Sequence, residues 1–297
     1  MFCGDVFESR MKLTISIVTF NNESVIRETL TSIEKSTLKL KQENDCEVIV
    51  VDNSSIDQTA AIISREFPWV TLIPSENIGF GAGHNKAIRK ILGKSDYHLI
   101  MNPDVYFEAD ALENLLDFIK KDKNIGLVTP KLLYPDDQIQ YTCRLLPTPF
   151  DLVVRRFIPG FLKPLFKNRL NNFEQRHRDY DKMMEAPNLS GCVMMIRSEV
   201  FKRVGLFDER FFVYLEDVDF TRRIHQQFKT VYYPKVRIYH RHGHGSYKKW
   251  KDLKYHVSSA IKYFCKWGWF FDRERKKINT KTIHMDFQEI RNVNVKK

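Results

Sequence analysis

Short apolar runs alternate with amphipathic stretches along the first 130 residues. Leu13-Thr14-Ile15-Ser16-Ile17-Val18-Thr19 is a β-branched run and predicts a strand. Glu23 to Lys35 follows with Ile26, Leu30 and Ile33 on one helical face. Glu47-Val48-Ile49-Val50-Val51-Asp52 is nearly continuous in apolar character, as expected of a parallel strand covered on both faces. Ser54 or Ser55 can cap a helix over about Asp57 to Glu66, and Val70 to Ile73 reads as a third strand. A glycine-rich turn then leads into a helix at about Ala82 to Leu92. Tyr97-His98-Leu99-Ile100-Met101 is a fourth strand, ended by the Asn102-Pro103-Asp104 corner because proline removes a donor and fixes a torsion. A helix at about Ala109 to Lys120 and a strand at Gly126 to Thr129 complete the alternation. This β-α rhythm predicts an α/β fold with a mostly parallel sheet, helices on both faces and right-handed crossovers.

After Pro130 the pattern weakens, and residues 131–187 read as a variable insertion rich in proline and basic residues. Phe150 to Phe166 mixes apolar side chains with Arg155, Arg156 and Lys163, either as a basic amphipathic surface for anionic lipid or as core packing with solvated cations. Pro159-Gly160 interrupts any single helix there. Order returns with a strand at Cys192 to Ile196, a helix from Ser198 and a helix opened by Glu216-Asp217-Val218-Asp219. Closing strands are expected at Thr230 to Tyr233 and Val236 to Tyr239. Asp252 to Trp267 reads as an aromatic, basic helix, followed beyond Asp272 by a loose polar tail. These boundaries give a lead at 1–11, a main domain at 12–246 and a C-terminal helix and tail at 247–297.

Composition narrows the classes. The chain has 297 residues, a 43% hydrophobic fraction and no run long enough to span a bilayer. The acidic start lacks the apolar core of a secretion signal, and the five scattered cysteines form no CxxC pair, so a reducing, cytoplasmic setting is expected. The net charge of +11 calls for an anionic partner. A basic nucleic-acid-binding protein is one reading, but no zinc-finger, RNP-like or helix-turn-helix signature supports it.

The candidate chemistry sits at strand ends, where open α/β sheets bind ligands. Asp104 is either a turn residue or a carboxylate holding a hard cation that in turn holds a diphosphate. Asp52 is either a cap or an acceptor for the imide N–H of uracil or thymine. Asn77 to Asn85 carries Gly79, Gly81 and Gly83 but matches neither the dinucleotide fingerprint nor a P-loop, leaving a phosphate or sugar loop of another kind, or a flexible turn. Glu216, Asp217 and Asp219 complement a helix dipole, or one of them takes a proton from a hydroxyl nucleophile. His240, His242 and His244 are structural, or serve a metal or phosphate.

In this order, the segments ISIVTFNN, VIVVDNSSID, ENIGFGAGHNKAI, LIMNPDV, LSGCVMMIRSEVFKRVGLFDERFFVYLEDVDFTRRI and YHRHGHGS resemble the family 2 inverting glycosyltransferases of GT-A fold. The resemblance runs from about Leu13 to Ser246 and is greatest toward the bacterial rhamnosyltransferase-like branch that builds cell-surface polysaccharides. It implies that Thr19 and Phe20 line the nucleotide pocket, that Asp52 reads the base, and that Gly79, Phe80 and Asn85 flank the diphosphate sugar. Asn102-Pro103-Asp104 stands where the family carries Asp-x-Asp, with neutral Asn102 in the first place; Asp104 and His240 would then hold Mn²⁺ or Mg²⁺. Asp217 would be the general base, with Glu216 as the alternative, and Gly191 and Glu216 would lie on the acceptor side. The implied partners are a dTDP- or UDP-sugar, with rhamnose favoured, and a glycan or polyprenyl-diphosphate-linked saccharide at the inner face of the membrane. No nucleic-acid partner is implied. A nucleotidyltransferase would use the same metal carboxylate, and a catalytically dead relative is opposed by the retention of Asp104 and Asp217.

Overall fold

The computed structural model describes residues 11–42, 45–158, 160–241 and 250–294. Strands β1 (Met11–Thr19), β2 (Cys46–Asn53), β3 (Thr71–Ser75) and β4 (Ser95–Met101) form a parallel half-sheet in the order β3-β2-β1-β4. Helices α1 (Ile26–Gln42), α2 (Thr59–Glu66) and α3 (Phe80–Ile91) supply the crossovers. The continuous apolar pattern of β2 has its expected cause, since Val48 to Asn53 are all buried.

Beyond β4 the chain makes the short β5 (Val105–Tyr106), helix α4 (Ala111–Lys120) and β6 (Ile125–Leu133). Two small strands, β7 (Cys143–Arg144) and β9 (Asn188–Leu189), pair with each other, while β8 (Met184–Glu185) pairs with β11. Strand β10 (Val193–Arg197) runs antiparallel between β4 and β6, and β11 (Lys229–His240) lies parallel to β6. The strand expected at Gly126 to Thr129 therefore does not adjoin β4. Val193 to Ile196 are fully buried and read like any parallel core strand, so the apolar pattern could not order the two. The β6 strand also runs through Pro130, which pairs with Tyr233 at the last position before a register shift in β11. That irregularity lies at Pro234, and it makes one bulged strand of the two closing strands expected from the pattern.

The segment expected as a variable insertion folds as a helical layer. Helix α5 (Pro149–Phe157) starts on a capping box between Thr148 and Asp151 with proline at its first position. A 3₁₀ helix (Gly160–Phe166) and α6 (Lys167–Phe173) follow. Helices α7 (Glu199–Val204) and α8 (Glu216–His225) lie between β10 and β11 in the chain.

The chain beyond Asp272 is not a loose tail. Helices α9 (Trp250–Trp267) and α10 (Arg273–Asn294) return to the body of the protein. Asp272 accepts a hydrogen bond from the Arg275 backbone N–H and forms a buried, two-pronged pair with Arg222 of α8 at 2.7 and 2.9 Å. Asn279 exchanges two hydrogen bonds with the Leu146 backbone, both 2.9 Å. A polar composition marked this stretch as loose because its partners are backbone groups and one buried cation distant in sequence.

Candidate active site

The sheet register gathers the site at one edge. Thr19 pairs with Asp52, Met101 with Val193, and Val105 with His240. The corner Asn102-Pro103-Asp104 thus turns directly into the strand that meets the end of β11. Thr29 donates to the Pro103 carbonyl at 2.7 Å, and Asn102 N–H donates to the Cys192 carbonyl at 2.9 Å, which fixes the corner from both sides. Asp104 Oδ1 lies 3.3 Å from His240 Nε2, and Asn102 Nδ2 lies 3.4 Å from the same nitrogen.

Gln140 determines the His240 tautomer. Its Nε2 donates to the His240 and Leu133 carbonyls, so its Oε1 accepts from His240 Nδ1–H at 2.9 Å. Nε2 is thereby turned toward Asp104, the placement that metal-binding histidines use, and a bound cation would replace the proton on that nitrogen. Burial opposes protonation of His240, but Cys192 and the Asp104 carboxylate outweigh it and raise the imidazole to about 10. Adjacent ligands of one Mg²⁺-sized cation, each about 2.1 Å from it, are separated by about 3 Å, and the Asp104–His240 spacing fits. Among the described residues no group of three or more His, Cys, Asp or Glu could hold a metal, so substrate phosphate and water would complete the coordination. His242 and His244 lie outside the described residues.

Glu216 and Asp217 open α8 after Tyr214 and Leu215, two consecutive non-glycine residues at positive φ (70° and 65°). Such strain is held by its surroundings and concentrates where side chains must be aimed. Asp217 is half-buried; its Oδ2 accepts from Gly191 N–H at 3.0 Å and its Oδ1 from Val218 N–H at 2.8 Å. A Cβ on Gly191 would stand 2.9 Å from the Asp217 Cβ, so this contact requires glycine. Glu216 is buried, and burial together with the Asp217 charge pushes its carboxyl well above the ordinary range. Asp219 is structural: it binds Arg223, Lys266 and Trp267.

On the other side of the edge, Asp52 is held by Thr19 Oγ1 at 2.7 Å, Ser55 Oγ at 2.5 Å and Ser55 N–H at 3.0 Å. Thr19 is fully buried and orients this carboxylate, whereas Phe20 is half-exposed. Ser55 was expected as a possible helix cap; its hydroxyl serves Asp52, and α2 has no side-chain cap. Gly79 (φ 90°) carries the close approach of the glycine-rich loop to the 212 backbone, where a Cβ would clash at 2.1 Å with the Phe212 carbonyl. Phe80 N–H donates to that same carbonyl, and its ring is edge-on to His84 at 4.5 Å. Asn85 is fully buried behind the loop, where it binds both backbone groups of Phe207 and the Glu209 carboxylate.

A cavity of about 970 Å³ opens beside Asp217. Glu216, Asp217, Ser190, Cys192 and His240 line one part of it. Arg155 and Arg156, expected on a lipid-facing surface, also line its wall. Gln140, Ser55 and this cavity were missed in the sequence. Gln140 lies in a stretch without periodicity, while Ser55 carried a signal inside Val-Asp-Asn-Ser-Ser that was read as capping.

Known proteins share this fold. The model of "Glycosyl transferase family 2" matches residues 14–205. The chain is similar to an N-acetylglucosaminyl-diphospho-decaprenol L-rhamnosyltransferase of Mycobacterium tuberculosis, at 28% identity over 224 residues, covering 71% of each chain. It is also similar to rhamnosyltransferase WbbL of Escherichia coli, at 24% identity over 85% of this chain and 92% of that one. Among solved structures it resembles the mannosyltransferase PcManGT of Pyrobaculum calidifontis in complex with GDP-Man and Mn²⁺, with TM-score 0.56, 20% identity, and 86% and 65% of the two chains covered. Staphylococcus aureus TarS 1–349 with UDP gives TM-score 0.57 at 17% identity over 94% and 72%. Among the described residues, no helix is long and apolar enough to cross a membrane.

Proposed function

The chain belongs to glycosyl transferase family 2 and is a glycosyltransferase, and on that premise we propose that it transfers a sugar with inversion from a dTDP- or UDP-sugar to a hydroxyl of a glycan or polyprenyl-diphosphate-linked saccharide. Rhamnose is the favoured sugar, as in the two similar rhamnosyltransferases. The observation that carries the reading is the placement of Asp217, held by Gly191 N–H, in the wall of a cavity that also contains His240.

Asp217 takes the proton of the acceptor hydroxyl. The acceptor oxygen bonds to the anomeric carbon as the bond from that carbon to the diphosphate oxygen breaks, and the nucleoside diphosphate leaves with the electron pair. One displacement from the opposite face inverts the configuration and requires no covalent enzyme intermediate. Glu216 is buried, with its carboxyl held well above the ordinary range by burial and the Asp217 charge, and it supports the wall behind Asp217. Asp52 accepts the base N–H, and Phe20 offers its ring face to the base. Asp104 and His240, with Asn102 beside them, would hold a divalent cation, Mn²⁺ or Mg²⁺, which when bound supplies charge neutralisation for the departing diphosphate.

A lipid-linked acceptor calls for contact with an anionic membrane surface. Phe150, Val153, Phe161 and Leu165 support that reading with exposures of 45–80%.

Thermal melting with a panel of sugar nucleotides, each with and without Mn²⁺, tests the donor side. A metal-enhanced rise for one dTDP- or UDP-sugar is expected, because a ligand of the native state stabilises it by mass action. No rise with any nucleotide would refute the reading. Product analysis separates the alternative: a nucleotidyltransferase releases pyrophosphate, whereas this reaction releases a nucleoside diphosphate.

A further inference from the structure

Helix α10 has two faces of opposite character. On one, Arg275 and Thr282 are buried and Asn279 is bonded to the Leu146 backbone. On the other, Arg273, Lys276, Lys277, Thr280, Lys281 and His284 recur at helical spacings of three and four, are all exposed, and line a shallow groove of about 460 Å³. Glu274 is the only acid from Arg273 to His284, and it is engaged with α8, accepting from Gln226 at 2.8 Å and lying 3.6 Å from Arg222. Among the described residues, Arg273, Lys276, Lys277 and Lys281 form no ion pair. Like charges one helical turn apart repel, so this face carries a cost that an anionic partner removes. The turn that leads into α10 is apolar. Gly268 N–H donates to the Phe264 carbonyl at 2.8 Å as α9 ends, and the exposed Trp269, Phe270 and Phe271 follow. Both ends of this turn are fastened to α8, the helix that opens with Glu216 and Asp217: Trp267 donates from its indole N–H to Asp219 at 2.7 Å, and Asp272 pairs with Arg222.

We propose that the α9–α10 turn and the outer face of α10 together dock the chain on an anionic bilayer, with Phe270 and Phe271 entering the acyl boundary and the α10 cations meeting lipid phosphates. Charge complementarity names the occupant. Uncovered rings next to a row of unpaired cations match an acyl layer next to a layer of anionic headgroups. The rings stand together on the turn before the basic face and are not interleaved with it, which suits entry into one apolar layer and not stacking on successive bases. The inference rests on the glycosyltransfer reading for its purpose, which is to hold α8 and Asp217 at a fixed place relative to a membrane that carries the acceptor. The surface belongs to a different segment from the exposed Phe150 and Val153 of α5.

Sedimentation of the full chain with vesicles, without sugar nucleotide or acceptor, tests the surface. Wild type should partition more strongly into mixed phosphatidylglycerol–phosphatidylcholine vesicles than into pure phosphatidylcholine. Lys276→Gln with Lys277→Gln and Lys281→Gln should lower partition into the mixed vesicles roughly 100-fold, the summed effect of three cations at an anionic surface. All three positions are exposed and glutamine has nearly the helix propensity of lysine, so the urea midpoint should not move. Lys35→Gln with Lys90→Gln and Lys94→Gln removes the same charge from exposed positions elsewhere and should keep most of the binding. Equal loss in the two triple variants would overturn the proposal, because net charge alone would then explain the attraction. Undiminished vesicle binding by the α10 variant would overturn it too. So would binding to poly(dT) in place of vesicles that the α10 variant loses, which would give the face to nucleic acid. The sugar-nucleotide melting shift is a separate readout: its absence refutes the glycosyltransfer reading and leaves vesicle binding standing.

Discussion

Glu216 and Asp217 are neighbours in sequence, yet one is buried with a raised pKa and the other is held half-open by two backbone N–H groups. Asp217→Asn removes the base and keeps one of those two hydrogen bonds, since its amide nitrogen cannot accept, so transfer should fall by about 10²- to 10⁴-fold while the nucleotide melting shift persists. Gly191→Ala presses a Cβ against Asp217 and should cost about 10²-fold in kcat by misplacing the carboxylate. Glu216→Gln should retain most of the turnover, and its signature is in stability. A carboxyl whose folded pKa lies above its unfolded value stabilises the fold fully below the unfolded value, near 4.5, and loses that contribution as pH rises through the folded value. The glutamine has no such loss. The melting temperature of Glu216→Gln relative to wild type should therefore rise between pH 4 and pH 8, and parallel curves would refute the assignment. The residue pattern showed that these acids open a helix, and only the family resemblance put Asp217 first, because the physical distinction lies in a contact made from another element by the Gly191 N–H.

At the scale of elements, helix α3 is tied to the sheet by a buried polar chain. Ser16 Oγ lies 2.7 Å from His84 Nδ1 and 2.8 Å from His98 Nε2, and Thr14 Oγ1 lies 2.7 Å from His98 Nδ1. Burial lowers His98 to about 3, and burial with the nearby His98 lowers His84 well below 6.5. Groups with depressed pKa give stability that is present above their unfolded value and lost as pH falls through it. Each histidine should contribute a slope of up to about 1.4 kcal/mol per pH unit below about pH 6.5. Urea denaturation from pH 7.5 to pH 5 measures it, and His98→Gln should flatten the slope by one proton's share. The Arg222–Asp272 pair ties α8 to α10 in the same way. Asp272→Ala strands a buried guanidinium and should cost about 3–5 kcal/mol in urea. The individual strands and helices were legible in the periodicity of the chain. Their order was not, since β10 and β6 carry the same apolar signal. Neither was the docking of α10, which depends on a salt bridge between residues fifty positions apart.

Across the whole molecule, two of the segments that carry exposed apolar residues are held together by one side chain. Arg275 donates from Nη1 to the Pro147 carbonyl and from Nη2 to the Trp269 carbonyl, both at 3.2 Å. The start of α5 is thus bound to the turn between α9 and α10, where Phe270 and Phe271 are 77% and 97% exposed. The first of these surfaces was legible from its mixture of apolar and basic residues. The second was not, because an aromatic run after a helix reads as core until the fold shows it uncovered. If both meet lipid, vesicle binding has two components of different physical origin. Attraction of the exposed Arg273, Lys276 and Lys277 to anionic headgroups is screened by salt within a Debye length of about 8 Å at physiological ionic strength. Burial of the phenyl rings is not screened. Sedimentation with phosphatidylglycerol vesicles should therefore fall with salt to a plateau in the wild type. Phe270→Ser with Phe271→Ser should remove the plateau while leaving the low-salt component and turnover on a soluble acceptor intact. A plateau unchanged in that variant would mean that the aromatic turn does not enter the bilayer.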